Sequence, residues 1–284
     1  MKIGVSSYSF KKYIMQTKCD YFHVCDKAKE LGFEGIEFIN LDDKNFGITT
    51  DALKTAAEIK EYCEKIGLSV IAYTVGANFL CDDPEAEIKR VCGCIDVAKA
   101  LGAPVLRHDV CYALPKKPLY TWRDAIKDMA PRIRRVTEYA KSLGIKTCTE
   151  NHGYIFQAPE RVEELILAVG DENYGWLCDM GNFLCADADP VKAVAIASRF
   201  AFHAHTKDFL WKPGTEPRPQ GFFGTAGGNH IRGTVIGHGV VPIANCVNIL
   251  KNAGYDQWLS IEFEGMEDII PALAAGIDFL KKIV

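Results

Sequence analysis

Glu150, Asp179, His205 and Glu262 are the residues of this 284-residue chain whose types and spacing point most directly to chemistry. Each follows a short β-branched or apolar run, and about 25 to 60 residues separate one from the next, as one ligand per β/α unit requires. Carboxylates are among the side chains least often buried without a partner. Three of them gathered at one rim would repel unless something neutralised them. A divalent cation does so at once. Three carboxylates and one imidazole suit Mn²⁺ first, with Mg²⁺, Co²⁺ and Zn²⁺ as alternatives.

More polar side chains crowd the same segments. Glu37 ends one strand and is a candidate for bonding a substrate hydroxyl. Arg107 and His108 end another and are both expected to face the mouth of the site. His152 follows Glu150 closely, Asn182 follows Asp179, and Lys207 follows His205; all three are substrate-binding candidates, Lys207 for a hydroxyl or an oxyanion. His203 shares the face of His205 one layer deeper, which suits a packed supporting group. Arg232, in the run Ile231 to Thr234, is a candidate to close on substrate from outside.

What must position these residues is an alternation of short strands and longer helical stretches. Strands are expected at Ile3 to Ser6, Gly35 to Phe38, Leu68 to Tyr73, Pro104 to His108, Ile145 to Glu150, Gly175 to Asp179, Phe200 to His205 and Trp258 to Glu262. Helical patterns between them stop at Gly32, Gly67, Gly102, Gly144 and Gly254, each suited to the left-handed residue that closes a helix. The repeat predicts parallel β/α units closing into a single (β/α)₈ TIM barrel over residues 1–284, whose active site lies at the C-terminal strand ends. A doubly wound open sheet would favour a glycine-rich phosphate turn after the first strand, and Ser6 to Phe10 is not one. The segment 209–241, rich in glycine and carrying Trp211, Phe222, Phe223 and His230, is expected to be a long loop that acts as a lid or pocket wall.

Composition narrows the partners. The net charge of −4 lacks the basic excess of a nucleic-acid binder, and Arg132, Arg134 and Arg135 fit a solvated helix face. No apolar run is long enough to span a membrane, and the first residues lack a secretory pattern. Eleven cysteines, an odd number without C-x-x-C spacing, read as free thiols of a cytoplasmic protein. Barrels of this kind often pair through their outer helices, so a homo-oligomer is a further expectation.

The runs T-E-N-H at 149–152, C-D-M-G-N at 178–182, H-A-H-T-K-D at 203–208 and S-I-E-F-E-G at 260–265 resemble the sugar phosphate isomerase/epimerase superfamily, the xylose isomerase-like TIM barrels. G-F-E-G-I-E-F at 32–38 is similar to its second strand. The resemblance implies metal ligation by Glu150, Asp179, His205 and Glu262, and an acid/base role for Glu150 and Glu262 on opposite faces of the substrate. A bound cation would polarise a carbonyl, and a carboxylate within reach would take the proton beside it. The expected activity is a metal-dependent isomerase or epimerase of a small carbohydrate. The alternative is a lyase or dehydratase of a keto-inositol or 3-keto-sugar. The epimerases of the superfamily carry a histidine shortly after the strand-six Asp, where this chain has Asn182. No phosphate-binding glycine turn is evident, which points to an unphosphorylated substrate.

Overall fold

A computed structural model describes residues 1–41 and 51–284. The chain opens with β1 (Lys2–Ser6), a 3₁₀ turn over Ser7–Phe10 and α1 (Lys11–Thr17). It continues through α2 (Tyr21–Glu30), β2 (Gly35–Ile39), α3 (Ala52–Ile66), β3 (Ser69–Val75), α4 (Pro84–Leu101) and β4 (Val105–His108). Then follow α5 (Trp122–Ser142), β5 (Lys146–Glu150), α6 (Pro159–Val169), β6 (Tyr174–Asp179), α7 (Pro190–Ala197) and β7 (Ala201–Thr206). Three short strands, β8 (Asp208–Lys212), β9 (Phe223–Gly224) and β10 (His230–Thr234), precede α8 (Ile243–Asn252), β11 (Trp258–Ile261) and α9 (Ile269–Leu280).

Eight strands close into a parallel barrel in the order β1-β11-β7-β6-β5-β4-β3-β2. The closure follows from strands that are buried on both sides. On β2, Ile36 and Phe38 are wholly buried among the outer apolar residues, while Glu37 between them belongs to the other face. Inside the barrel, Ala72, Val105, Cys148 and Leu177 form an apolar layer with Phe202 against it. Two residues further along the same strands stand Thr74, Arg107, Glu150 and Asp179. Because side chains alternate with period two, the polar ring rests directly on this dry floor.

Local chemistry sets the helix ends. Asp20, Asp51 and Asp83 accept the N–H three residues on and cap α2, α3 and α4. Thr121 and Asp124 form a reciprocal capping box at the start of α5. Gly67 and Gly102 close α3 and α4 at φ +67° and +77°. The short α1 goes unmarked in the sequence, because Lys11–Thr17 presents only one buried residue, Ile14.

The segment 209–241 departs from expectation. It is not a structureless loop: β8, β10 and β9 form a three-stranded antiparallel sheet. Its ends are drawn together by Asp208, whose Oδ1 accepts the N–H of Phe209 (2.9 Å) and Val241 (3.1 Å) and whose Oδ2 accepts those of Gly237 (2.9 Å) and Gly239 (2.8 Å). All eleven cysteines are unbridged, although the Sγ atoms of Cys25 and Cys63 lie 3.7 Å apart in the core. No described helix is long and apolar enough to cross a membrane.

Candidate metal centre

The centre assembles from four neighbouring strand ends. Glu150 is the last residue of β5, and its Oε1 accepts from Asn182 Nδ2 at 2.7 Å. Asp179 is the last residue of β6, and its Oδ1 accepts the N–H of Gly181 and of Asn182, both at 2.8 Å. Gly181 permits that turn, since a Cβ there would stand 2.6 Å from Lys207 O. Asn151 locks β5 to β6: its Nδ2 donates to Asp179 O at 2.8 Å, and its Oδ1 accepts from Trp176 Nε1 and Asp179 N, each at 3.1 Å.

His205, near the end of β7, is oriented from behind. Its Nε2 lies 2.8 Å from Glu37 Oε1, and His203 Nε2 lies 2.6 Å from Glu37 Oε2. A carboxylate can only accept, so each Nε2 carries the hydrogen. That leaves His205 Nδ1 facing forward, 3.6 Å from Asp179 Oδ2, 3.6 Å from Glu262 Oε2 and 3.9 Å from Glu150 Oε1. Glu37, His203 and His205 are also close enough to suggest ligation of an ion among themselves. Their contacts are hydrogen bonds, because two ligands of one tetrahedral zinc would stand roughly 3.3 Å apart.

The four forward-facing donors fit a divalent cation. One ligand atom from each of Glu150, Asp179, His205 and Glu262 lies within 4.8 Å of the others. Asp179 Oδ2 and His205 Nδ1 are buried without a hydrogen-bond partner. Two orphaned acceptors aimed at one point, beside two more carboxylates, are what a bound cation would satisfy. The Glu37 carboxylate behind His205 fixes its tautomer and makes it a better donor.

Two cationic side chains flank the cluster. Arg107 Nη2 is 2.9 Å from Glu150 Oε2 and 2.6 Å from Asp109 Oδ1, and Asp109 Oδ1 is 2.9 Å from His152 Nδ1. Lys207 Nζ is 2.5 Å from Glu262 Oε2, 3.1 Å from Glu264 Oε2 and 3.4 Å from Asp179 Oδ2. The two glutamates are pushed in opposite directions. Burial raises the Glu150 carboxyl despite Arg107, whereas Lys207 and His205 overcome burial and hold Glu262 well below the usual carboxylate range. Burial also opposes the charge on Glu37, but His205 and His203 outweigh it and keep that carboxyl far down. Burial, then Glu264 and Glu262, pushes the Tyr8 phenol up to about 12.

A family model described as xylose isomerase-like TIM barrel matches residues 25–283. The chain belongs to that family. An inosose dehydratase of Lacticaseibacillus casei is 24% identical over 180 residues, and the match spans 60% of the chain and 60% of that relative's length. Among solved structures, the IOLI protein with a binding zinc atom has a TM-score of 0.76 at 16% identity, covering 100% of this chain and 98% of that one. A D-psicose 3-epimerase with D-tagatose from Clostridium cellulolyticum H10 has a TM-score of 0.73 at 16% identity, covering 100% and 99%. At such identities the structural likenesses show the fold.

In this xylose isomerase-like barrel a cavity of about 320 Å³ opens over the cluster, and Arg107, Glu150, His152, Lys207 and Glu262 line it. Asn182 lies beneath, bonding Glu150 and, at 3.2 Å, Lys207. Four expectations about the substrate site need correction. Glu37 is wholly buried behind His205, and both its oxygens are engaged by imidazoles. Arg232 does not line the cavity; it pairs with Glu267 at 3.4 Å and lies over the Phe222 ring. Residues 209–241 contribute no cavity wall, and their sheet packs beside the segment 264–267 instead.

His108 is the fourth correction. Strand alternation turns Arg107 inward, so His108 points out, stacked on Tyr174 and edge-on to Phe79. Burial, with Arg107 nearby, lowers its pKa from 6.5 to about 4. The fold therefore favours the neutral imidazole. Its contribution is intact above pH 6.5 and is lost as the pH falls from there toward 4, because only the unfolded chain takes up the proton. The linkage is worth about 2 kcal/mol between pH 7 and pH 5. His108→Asn is expected to flatten that part of the pH dependence in denaturant unfolding, and an unchanged slope would refute the assignment.

Sequence reading passed over Asp109, Glu264, Tyr8 and Thr74, all of which line the cavity. Alternation from Arg107 and from Glu262 would have found the first two. Tyr8 and Thr74 carry no charge and gave no signal. Glu37 also supplies a prediction about the metal. Glu37→Gln removes the charge behind His205 and lets an amide N–H face one of the two imidazoles. It is expected to weaken Mn²⁺ or Co²⁺ binding about 10- to 100-fold by calorimetric titration, without loss of fold. Unchanged affinity would reduce Glu37 to a packing role.

Proposed function

We propose that this protein is a divalent-metal-dependent carbohydrate epimerase or isomerase that moves a proton on the carbon beside a carbonyl. The observation that carries the reading is the pair Glu150 and Glu262: both line one cavity, both belong to one four-donor cluster, and they stand in opposite charge environments. Such pairs divide into acid and base. Glu262, kept ionised by Lys207, takes the proton. Glu150 returns one from the other side. A cation held by Glu150, Asp179, His205 and Glu262, with Mn²⁺ the first candidate, would supply Lewis-acid polarisation of the carbonyl. Arg107 and Lys207 hold the two glutamates in place.

A dehydratase is the second reading, favoured by Lys207. Its ammonium lines the cavity and touches Glu262, where it can give a proton to a departing hydroxyl. The inosose dehydratase relative is consistent with that chemistry. One experiment separates the two. Mn²⁺-loaded protein is incubated in D₂O with D-psicose, D-tagatose and 2-keto-myo-inositol and followed by NMR. Deuterium at the carbon beside the carbonyl with a new epimer or isomer supports the first reading. Loss of water with an absorbing enone or dione supports the second. No exchange with any of them argues against both.

A further inference from the structure

Lys207 stands among three carboxylates, and among the described residues only one of them lies outside the four-donor cluster. Its Nζ is 2.5 Å from Glu262 Oε2, 3.4 Å from Asp179 Oδ2 and 3.1 Å from Glu264 Oε2, and it donates to Asn182 Oδ1 at 3.2 Å. Glu262 Oε2 and Asp179 Oδ2 are the same two oxygens that lie 3.6 Å from His205 Nδ1 inside the cluster. The ammonium and a divalent cation would therefore draw on one pair of oxygens. Two like charges that close repel, and the repulsion is stronger in a buried site than in water. Lys207 is 3% exposed, so solvent does little to screen it.

Glu264 answers that conflict. It follows Glu262 by two residues and lines the same cavity as Glu262 and Lys207. Because it stands outside the four-donor cluster, it can pair with the ammonium without giving up an oxygen that a cation needs. The antiparallel sheet fixes its place from outside. On β10, a Cβ at Gly233 would stand 2.8 Å from Glu264 O and 2.9 Å from its Cγ, so the close approach of the two segments depends on glycine. Thr234, the next residue of β10, donates from Oγ1 to Glu267 Oε1 at 2.8 Å. The sheet thus braces the stretch 264–267, and with it the carboxylate that faces Lys207.

We propose that Glu264 is a positioning residue that holds the Lys207 ammonium in the cavity when a divalent cation takes the oxygens of Glu262 and Asp179. The inference rests on reading Glu150, Asp179, His205 and Glu262 as a metal site, and it deepens that reading by assigning what lets the ammonium and the cation share one cavity. With Glu264 in place, Lys207 keeps a charge partner of its own, and Asn182 Oδ1 is an uncharged acceptor beside it. With a neutral side chain there, the ammonium and the cation compete for Glu262 and Asp179, because a buried charge without a partner is strongly unfavourable.

The test titrates Mn²⁺ by calorimetry into wild type, Glu264→Gln, Glu264→Asp, Lys207→Met and the double variant Glu264→Gln/Lys207→Met, with circular dichroism reporting the fold. Glu264→Gln is expected to weaken Mn²⁺ about tenfold, the lower figure for loss of an outer supporting group, and Glu264→Asp to recover most of that loss. In the Lys207→Met background the same glutamine substitution is expected to cost no more than about threefold, the remaining direct attraction of an exposed-side carboxylate for the cation. Such non-additivity marks an effect that passes through Lys207. Crystals of Mn²⁺-loaded wild type give a second readout, in which Lys207 Nζ is expected to stay paired with Glu264. The inference falls if Glu264→Gln binds Mn²⁺ like wild type, if its cost is the same with lysine and with methionine at position 207, or if Lys207 has left Glu264 in the loaded crystal. Wild type that takes up no Mn²⁺ would sink the metal reading and the inference together, whereas uptake that ignores Glu264 sinks the inference alone.

Discussion

Asp179→Asn is expected to abolish divalent-metal binding while leaving the barrel folded. The asymmetry of this carboxylate makes the variant informative. Its Oδ1 is held by the N–H groups of Gly181 and Asn182, and its Oδ2 faces the cluster without a hydrogen-bond partner. An asparagine keeps its carbonyl oxygen on the two N–H donors and turns its amide nitrogen toward the cluster. That nitrogen carries hydrogens and has no lone pair to offer a cation. Affinity is expected to fall by more than the roughly 100-fold upper figure for loss of an outer supporting group. Elemental mass spectrometry of the purified variant and an Mn²⁺ titration read the effect, with circular dichroism reporting the fold. Metal at wild-type stoichiometry in Asp179→Asn would show that the four donors do not form the site.

The second large effect is expected at Glu262. Glu262→Gln preserves the volume and an oxygen donor but cannot accept a proton. Loss of a positioned general base typically costs about 10²- to 10⁴-fold. The upper part of that range is expected here, because Lys207 Nζ, 2.5 Å from Oε2, holds wild-type Glu262 in the ionised form that a base needs. The loss should fall on kcat, with KM and metal content close to wild type, because the missing step is proton removal rather than binding. Glu150→Gln makes the complementary measurement. If Glu150 only returns the proton, its glutamine variant still exchanges substrate hydrogen with D₂O but yields little epimer. Equal loss of exchange in both variants would place abstraction on both glutamates or on neither.

These effects depend on partners that sequence reading located only in part. The four candidate ligands were legible as a group because each member follows a short strand, and because strand ends in a parallel barrel converge on one face whatever the loop lengths. Arg107 and Asp109 were half legible. Their shared face follows from alternation, but their neighbour His108 was placed at the same mouth, and period two forbids that. Lys207 could be placed near the site without showing that it clasps Glu262 and Glu264 together. The segment 209–241 was misjudged for another reason. Its strands are short and antiparallel, and what closes it is one carboxylate, Asp208, gathering four backbone N–H groups.

By itself, the sequence determined the architecture and the four metal-binding candidates. Helix-closing glycines, aspartate caps and buried strand runs are local signals, each readable within a few residues. Only the tertiary structure decided what Glu37 does. Its partners His203 and His205 lie 166 and 168 residues away in the chain, and nothing in the G-I-E-F-I run distinguishes a carboxylate facing substrate from one facing two imidazoles. The same holds for Arg107 and Glu150, which meet at 2.9 Å only because β4 lies beside β5. Local periodicity says which face a side chain takes. Only barrel closure says what stands opposite it, because that depends on the packing of all eight strands together.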